Sequence, residues 1–459
     1  MLRLSLQAGE SAPIQLVPSS KAPVTLRLVL VRHGLSSFNV EHRIQGRDDL
    51  SSLTETGVEQ ARATGEALRD VPFDAVISSP LRRARDTTAA LLEAQGLGAS
   101  ASYSDLLLEI DLAPWSGLLR DELKARYAAA ECTWRTAPQD LELSRADGQT
   151  YRPLQELMAQ AAQLKQELLG RQGSQTVLLV GHNAILRALI LQLLDLQASQ
   201  FRRLRLDNAS ISVLNVNPGG DVQVESLNGT AHLGVDLPAK GAGARLLLVR
   251  HGETDWNRQG RFQGQIDIPL NSNGRAQADA AAQALARVHL DRAYTSAMAR
   301  PRQTAEAILK AHPGVPLTST RGLVEIGHGL WEGRLEAEIA EGWPQLLADW
   351  KQAPQTVQMP EGETIQEVWE RSLACWQTIA ASLTPTETAL VVAHDAVNKT
   401  ILCALLGLTP ADIWAIKQGN GGITVIDYPN GAYEPPVVAA MNLTHHLGGV
   451  LDRTAAGAL

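Results

Sequence analysis

The sequence predicts two tandem α/β domains, each a three-layer α/β/α arrangement with a largely parallel sheet flanked by helices. Three observations lead to this fold class. The chain of 459 residues is too long for one ordinary hydrophobic core. Its second half repeats the first at an offset of about 215 residues, a period the size of a domain. Within each copy, short β-type runs alternate with longer runs rich in Ala, Gln and Glu.

Repeated motifs carry the evidence for duplication. A Leu-Val-Arg-His-Gly segment opens each copy, and a second histidine motif follows near its end. The matched segments are Leu30–Gly34 and Leu248–Gly252, Ser79–Arg83 and Ser296–Arg300, Leu108–Ile110 and Val324–Ile326, Gly181–Asn183 and Ala393–Asp395, and Asn228–Leu233 and Asn442–Leu447. Their steady spacing indicates duplication of a whole domain rather than a short solenoid repeat.

The domain limits follow from where the repeat begins and ends. We predict an N-terminal domain over residues 1–233, a C-terminal domain over residues 245–447 and a tail over residues 448–459. Residues 234–244 are rich in Gly, Ala and Pro and poor in pattern, which favours an interdomain linker.

Strand and helix candidates alternate along each copy, which favours parallel strands joined by helices. The strand candidates are Thr25–Val31, Ala75–Ser78, Thr176–Val180, Ile211–Val216, Arg245–Val249, Ala293–Thr295, Ala389–Val392 and Ile423–Asp427. Helix candidates include Val58–Arg69 and Arg275–Arg287. In such sheets the chemistry gathers beyond the carboxyl ends of the strands. Because both histidine motifs follow strands, we expect two distant histidines to meet at one sheet edge.

Composition narrows the range of partners. The net charge of -8 disfavours nucleic acid and anionic membranes, since both select basic surfaces. No apolar run reaches the length of a membrane span, and residues 1–23 lack the pattern of a secretory signal. The three cysteines show no CxxC spacing, so we expect a reducing, cytoplasmic environment without disulfides or a zinc site.

Each copy places two histidines, two arginines, an asparagine and a glutamate near strand ends or early loops. They are His251, Arg250, Asn257, Arg300, Glu325 and His394 in the second copy, and His33, Arg32, Asn39, Arg83, Glu109 and His182 in the first. Paired guanidinium groups match phosphate oxygens and stay charged at physiological pH. A neutral imidazole beside them is a competent nucleophile toward phosphorus. The glycine after the first histidine lets backbone N–H groups approach the same oxygens.

Each of these residues also has a plainer interpretation when taken alone. A single histidine at a strand end is more often a hydrogen-bonded structural residue, and Glu325 could pair with a surface arginine. Arg82 and Arg85 flank Arg83, and only the repeat selects Arg83. The complete set, present twice, therefore carries the prediction of phosphate chemistry.

The motifs resemble the histidine phosphatase superfamily, which includes the cofactor-dependent phosphoglycerate mutases. The resemblance rests on residues 248–257, on Ser296-x-x-x-Arg300-x-x-Gln303-Thr304 and on residues 325–333, and it covers nearly the whole chain. It implies that His251 carries the phosphoryl group and that Glu325 protonates the leaving alkoxide. The other four residues of the set would hold phosphate oxygens. In the first copy, the corresponding residues would have the same roles. No step calls for a metal, so the resemblance implies neither a metal nor a cofactor.

The two copies differ around these residues. In the first copy, Leu35 replaces the glutamate that usually follows Arg-His-Gly, and residues 112–117 replace the Gly-Leu-Trp-Glu-Gly stretch. In the second copy, Asp395 occupies a place that is often glycine in the family. Its carboxylate would repel a phosphate dianion unless it is turned away or bound to a substrate hydroxyl. We expect a working C-terminal domain and an N-terminal phosphate pocket with an altered wall and undecided turnover.

The resemblance favours a phosphatase over a mutase, because the mutases carry a longer insertion between the two histidines than either copy does. We predict a metal-independent phosphoric monoester hydrolase that acts on small phosphorylated metabolites. The tandem arrangement resembles phosphatases of 2-carboxy-D-arabinitol 1-phosphate, which makes a phosphosugar or sugar-acid phosphate the leading substrate hypothesis. Two alternatives stay open, a mutase-type isomerase and one catalytic domain joined to a non-catalytic phosphate-binding domain.

Overall fold

A computed structural model describes residues 24–96, 98 and 100–455 of the chain. The first 23 residues, including the segment that we predict not to be a secretory signal, lie outside the described residues, as do residues 456–459 of the predicted tail.

The first half contains one α/β unit and a small two-stranded excursion. Its strands are β1 Leu26–Arg32, β2 Ala75–Ser78, β3 Ala101–Tyr103, β4 Leu143–Ser144, β5 Thr150–Tyr151, β6 Gln175–Gly181, β7 Ile211–Val216 and β8 Val222–Gly229. Its helices are α1 Ser37–Val40, α2 Glu55–Ala67, α3 Arg82–Gln95, α4 Arg120–Arg126, α5 Ala128–Thr136, α6 Pro153–Leu169 and α7 Asn183–Leu193.

The second half repeats the same order without the two-stranded excursion. Its strands are β9 Ala244–Arg250, β10 Arg292–Thr295, β11 Leu317–Ser319, β12 Thr388–Ala393, β13 Ile423–Tyr428 and β14 Val437–Leu443. Its helices are α8 Asp255–Gln259, α9 Ser272–Leu285, α10 Ala299–Leu309, α11 Glu336–Gly342, α12 Pro344–Gln352, α13 Ile365–Ala381 and α14 Asp395–Leu406.

The sheet of each half is parallel over four strands and antiparallel over two. In the first half β3, β2, β6 and β1 run parallel, and β7 and β8 follow antiparallel. In the second half β11, β10, β12 and β9 run parallel, and β13 and β14 follow antiparallel. The prediction of tandem α/β units with largely parallel sheets is confirmed.

The two sheets are joined into one sheet of twelve strands. The junction lies between the antiparallel edges, where β14 pairs with β8 through Met441 and Leu227. The sequence patterns do not predict this pairing, because they mark strands within each copy and do not include the edge strands β8 and β14. Residues 234–244 connect β8 to β9 without a helix and reach a strand only at Ala244, and we keep them as the proposed linker.

The predicted helices begin about one turn late, and the cause is local. Thr54 caps α2 by accepting a hydrogen bond from the N–H of Gly57, and Asn271 caps α9 in the same way for Gly274. Such caps satisfy backbone donors that the first turn leaves unpaired, so they set where a helix begins. The apolar periodicity starts only after the cap and therefore missed the first turn.

The segments that follow each last strand cross to the other half. Leu237, after β8, packs against the hydrophobic core of the second half, and Val450 and Leu451, after β14, pack against that of the first. The segment predicted as a tail thus contributes buried side chains over the residues that the structure describes. Among those residues, no helix combines the length and apolarity that a bilayer crossing requires.

Candidate active site

The sheet brings the two histidines of each half together, as the strand order predicts. In the second half, β9 and β12 are adjacent and parallel with Arg250 opposite Ala393, so the residues that follow, His251 and His394, emerge side by side. Their ring centroids lie 5.2 Å apart. In the first half the corresponding rings of His33 and His182 lie 5.1 Å apart.

His251 is held as a neutral imidazole with one nitrogen free to react. Its Nδ1 lies 2.7 Å from the carbonyl oxygen of Gly252, which can only accept, so Nδ1 carries the proton. Its Nε2 accepts a hydrogen bond of 3.2 Å from Nε of Arg300. Burial lowers the pKa of His251 well below its usual range, and the charges of Arg300 and Arg250 lower it further. The lone pair on Nε2 therefore points toward the guanidinium group of Arg300, which would bind the phosphoryl group of a substrate.

The two arginines of this site are buried and oriented by backbone carbonyls. Arg300 donates from Nη2 to the oxygen of Gly264 at 2.8 Å, and Arg250 donates from Nη1 to the oxygen of Gln418. Within the described residues, Nε of Arg250 and both ring nitrogens of His394 are buried without a hydrogen-bond partner. Buried polar groups are normally satisfied, so such a cluster marks a place for a polar ligand. Its positive charge suits an anion.

Asn257 completes the oxygen-binding set. It lies in the first turn of α8, where its Oδ1 accepts from the N–H of Thr254 and, at 3.3 Å, from Nδ2 of Asn420. With the oxygen engaged twice, the amide N–H₂ is the end left to face an anion.

Glu325 has the environment of a general acid. One carboxylate oxygen accepts from the N–H of Ile326 at 3.0 Å, and the other accepts from the N–H of Asp395 at 3.0 Å at the start of α14. Burial raises the pKa of Glu325, and the carboxylate of Asp395 raises it further, while Arg300 opposes both. A raised pKa keeps the proton available for transfer near neutral pH.

The charge of Asp395 is balanced inside the protein. Lys399, one helical turn further along α14, places its Nζ 3.1 Å from Oδ2, and Nη1 of Arg250 lies 3.9 Å from Oδ1. The ammonium also lies 4.9 Å from the ring centroid of Trp414. Sequence reasoning identified Asp395 and missed Lys399, although the spacing of four residues on a helix signals such a pair.

The glycine after the first histidine has a different role from the one that we expected. The N–H of Gly252 donates to Oγ1 of Thr304 at 3.1 Å, so it is already engaged inside the protein. A Cβ at Gly252 would lie 2.3 Å from the carbonyl oxygen of Gly274. The glycine is therefore explained by the close approach of the loop to the start of α9, and not by a free N–H group.

The first half assembles the corresponding six residues with a different setting. His33 is also fixed through Nδ1, 2.8 Å from the oxygen of Gly34, but Nε2 of His182 lies 2.7 Å from Oγ of Ser79. Glu109 takes hydrogen bonds from three backbone N–H groups, two of them at the start of α7. Arg32 and Asn39 are half-buried, whereas their counterparts in the second half are buried. Within the first half the pocket is thus more open.

The wall of the first site is altered, in line with the expectation. Ser116 replaces Glu332 and bonds Asp48, whereas Glu332 accepts from the N–H groups of Gln265 and Ile266. A neutral Asn183 stands in the place of Asp395. Both copies nevertheless orient the second arginine in the same way, because Arg83 donates to the carbonyl oxygen of Gly46 as Arg300 does to that of Gly264.

An arginine and a glutamine that exchange places between the copies support the backbone carbonyl of the acidic residue, Glu109 or Glu325. In the first half Arg47 bonds the carbonyl of Glu109 at 2.8 Å and the side chain of Gln160 at 2.7 Å. In the second half the positions are exchanged, with the arginine on helix α13 and the glutamine in the loop. Arg371 donates to the carbonyl of Glu325 at 3.0 Å, and Gln265 donates to the same carbonyl. The two sites thus preserve one contact with exchanged partners. Among the described residues, no group of three or more His, Cys, Asp or Glu side chains is arranged to hold a metal ion.

Comparison with known proteins gives this arrangement a family. The model of the histidine phosphatase superfamily (branch 1) matches residues 28–230 and 246–442. A 2-carboxy-D-arabinitol-1-phosphatase from Triticum aestivum is 30% identical over 92% of this chain and 86% of its own length. Phosphoserine phosphatase 1 from Hydrogenobacter thermophilus is 33% identical over 44% of this chain and 94% of its own length.

A solved structure shows the same pattern of half-chain coverage. Bacillus stearothermophilus YhfR is 32% identical and covers 44% of this chain and 99% of its own, with a TM-score of 0.42. Because the family model matches both halves of the chain, this protein belongs to the histidine phosphatase superfamily, in which it carries two copies of the family domain.

Proposed function

We propose that the C-terminal half hydrolyses the phosphate ester of a small phosphorylated metabolite through a phosphohistidine on His251. The observation that carries the proposal is the buried, neutral His251, whose Nδ1 is protonated against Gly252 and whose Nε2 lone pair meets Arg300. Beside it, Nε of Arg250 is a buried cationic donor without a partner among the described residues, which suits a bound anion.

The chemistry balances with the residues of this half. Nε2 of His251 forms a bond to phosphorus while the ester P–O bond breaks, and Glu325 gives its proton to the leaving alkoxide. Arg250, Arg300 and the uncharged donors hold the phosphoryl oxygens, where negative charge is concentrated in the transition state. Glu325 then takes a proton from the attacking water, the N–P bond breaks, and inorganic phosphate leaves.

Unpaired polar groups on α14, the helix that follows His394, favour a substrate with hydroxyl and carboxylate groups. Asp395 and Asn398 carry side-chain oxygens that are buried without a hydrogen-bond partner among the described residues, and Nδ2 of Asn398 is equally unpaired. Lys399 adds a positive charge on the same helix. In the first half, leucine and arginine replace Asn398 and Lys399 at Leu186 and Arg187. A phosphorylated sugar acid would offer hydroxyls to the first two groups, and its carboxylate would compete with Asp395 for the ammonium of Lys399. The name of the Triticum relative supports this class.

Release of phosphate from 2-carboxy-D-arabinitol 1-phosphate, compared with phosphoserine and with an uncharged sugar phosphate, tests this proposal. We expect the carboxylated sugar to be the best substrate. Asp395→Asn/Lys399→Met, which removes both charges of the pair, is expected to reduce its advantage over the uncharged sugar about tenfold. Lys351→Met, at an exposed lysine paired with Glu336, is the control. Much faster hydrolysis of phosphoserine would reject the sugar-acid assignment.

A mutase remains the second candidate, since relatives such as an enzyme of Brucella ovis are named phosphoglycerate mutases. The same assay separates the two, because a mutase moves phosphate between positions of the substrate without net release. We also propose a cytoplasmic location, which the three unpaired cysteines support.

Replacing Asp395 with asparagine is expected to move the basic limb of the kcat–pH profile to lower pH. Glu325 must be protonated to act as the acid, and the carboxylate of Asp395 contributes to its raised pKa. Removing that charge lowers the pKa, so activity is lost at a lower pH. Asparagine occupies the equivalent place in the first half, and it keeps the backbone N–H from which Glu325 accepts a hydrogen bond.

The control is Asp255→Asn, which removes an exposed carboxylate from the first turn of α8. Equal profiles for Asp395→Asn and the unmodified protein would mean that Asp395 does not set the pKa of Glu325.

A further inference from the structure

Each active site is bordered by a loop that the opposite half of the molecule holds in place. The N-site loop comprises residues 204–208 and the C-site loop comprises residues 416–420. Leu204 forms a β-bridge with Val438 of the second half, and Ile416 forms one with Val224 of the first half. The sheet junction therefore extends from the paired edges β8 and β14 into both sites.

The C-site loop holds the reacting histidine and an arginine. The N–H of Lys417 donates to the carbonyl oxygen of Val224 in the first half at 2.9 Å. The next residue, Gln418, offers its carbonyl to Nη1 of Arg250. Two residues further, Nδ2 of Asn420 donates to the carbonyl oxygen of His251 at 3.2 Å.

The N-site loop repeats these contacts. The N–H of Arg205 donates to the carbonyl oxygen of Val438 in the second half at 3.3 Å. The carbonyl of Leu206 accepts from Nη1 of Arg32 at 2.8 Å, and Nδ2 of Asn208 donates to the oxygen of His33 at 3.1 Å. The repetition shows that the arrangement belongs to the duplicated fold and not to one accidental contact.

One buried asparagine ties each of the two loops to the other half. Asn442 accepts from the N–H of Gly419 at 2.7 Å and donates across the junction to the carbonyl of Glu225 at 2.8 Å. Asn228 accepts from the N–H of Asp207 at 2.6 Å and donates across the junction to the carbonyl of Ala439 at 2.7 Å. Both have left-handed backbone, with φ of 50° and 58° respectively, a conformation that asparagine tolerates better than most residues.

The segment after β14 adds a second clamp to the C-site loop. Oγ1 of Thr454 accepts from the N–H of Asn420 at 3.1 Å, and the N–H of Asp452 donates to Oε1 of Glu225 in the first half at 2.9 Å. Nζ of Lys417 lies 3.6 Å from Glu225 and 3.5 Å from Asp452. The C-site loop is therefore fixed to the first half more firmly than a single strand pair would fix it.

We propose that Asn442 is a positioning residue for the C-terminal active site and that the N-terminal half acts as its scaffold, whatever its own turnover. Asn442 holds the C-site loop against the backbone of Glu225, and that loop sets the places of Arg250 and His251. The inference rests on the proposed function only in taking the C-terminal half as the catalytic one. It explains why two copies that we expect to differ in catalytic ability remain joined through one sheet.

The test uses the full chain carrying Asn442→Gly, which removes the amide and suits the positive φ. The matched control is Arg203→Met, which removes another cross-junction hydrogen bond, 2.8 Å long from Nη1 to the carbonyl of Leu405, without touching the C-site loop. We expect Asn442→Gly to lower kcat about 10- to 100-fold with a smaller change in KM, because the phosphoryl acceptor is misplaced after the substrate has bound. Arg203→Met should stay within about twofold of the unmodified protein, at a comparable loss of Tm.

Hydrogen exchange gives a readout that does not depend on turnover. The amides of residues 416–420 should exchange faster in Asn442→Gly than in Arg203→Met, and orthovanadate should protect them less. Equal kcat and equal exchange in the two variants would overturn the proposal. If the unmodified protein hydrolyses no phosphomonoester, the proposed function fails, while exchange of the C-site loop still decides the role of Asn442.

Discussion

His251→Ala is expected to abolish turnover, with kcat falling at least about 10,000-fold. Alanine removes the unprotonated nitrogen that accepts a hydrogen bond from Arg300. His394 does not replace it in this scheme, since among the described residues neither of its ring nitrogens has a partner that fixes the tautomer, whereas Nδ1 of His251 is fixed as a donor to its own loop. Acid-quenched reactions with radiolabelled substrate should show a phosphoprotein in the unmodified chain and none in the variant.

His33→Ala is the matched variant of the other copy and should keep more than half of the activity. In the N-terminal site Nε2 of the second histidine, His182, is engaged by Ser79, and the acid Glu109 lacks a neighbouring carboxylate at Asn183. The first difference occupies a nitrogen that would otherwise hold a phosphate oxygen, and the second removes the charge that raises the pKa of the acid in the other half, so we expect the N-terminal pocket to be the weaker catalyst. Equal partial losses in the two variants would mean two working sites, and complete loss in His33→Ala would assign catalysis to the first half.

The parts of the site that the sequence predicted are those fixed by strand ends. Each histidine motif closes a hydrophobic run, and parallel neighbours bring such ends together, so the meeting of His251 and His394 followed from the pattern. Repetition then separated Arg83 from its flanking arginines, and the structure places Arg83 in the buried pocket, where it donates to the carbonyl of Gly46. Local pattern and duplication together were sufficient for these residues.

The parts that the sequence missed depend on contacts between distant segments. Asn420 reaches the carbonyl of His251 from a loop with no hydrophobic periodicity. The bridge from Asn442 to Glu225 joins residues of different copies. A comparison of the two copies aligns such positions but gives no sign that they touch across the molecule. Only the register of the joined sheet puts them in contact.

The duplication also shows which features a phosphate pocket tolerates. The exchange of Arg47 and Gln160 for Gln265 and Arg371 keeps the carbonyl of the acidic residue bound in both halves. The support of this carbonyl is therefore a feature that both pockets keep, and phosphate binding in the N-terminal half stays a prediction.

Glu325→Gln is expected to lower kcat about 100- to 10,000-fold for a substrate with an alkoxide leaving group. Glutamine keeps an oxygen to accept one backbone N–H, so α14 should stay in place, but it has no acidic proton to give. The loss should shrink strongly with p-nitrophenyl phosphate, because nitrophenolate leaves without protonation. The basic limb that the raised pKa of Glu325 produces should disappear with that substrate.

Glu109→Gln, the same change in the N-terminal half, tests whether this effect belongs to one site. It should leave the leaving-group dependence of the whole protein as it is, because the C-terminal acid remains. If Glu325→Gln instead slowed both substrates equally, the loss would lie in a step that both share, either hydrolysis of the phosphohistidine or the fixing of the start of α14, and not in protonation of the leaving group. The two outcomes differ in a ratio of rates, so partial unfolding of the variant, which lowers both rates alike, cannot imitate the expected one.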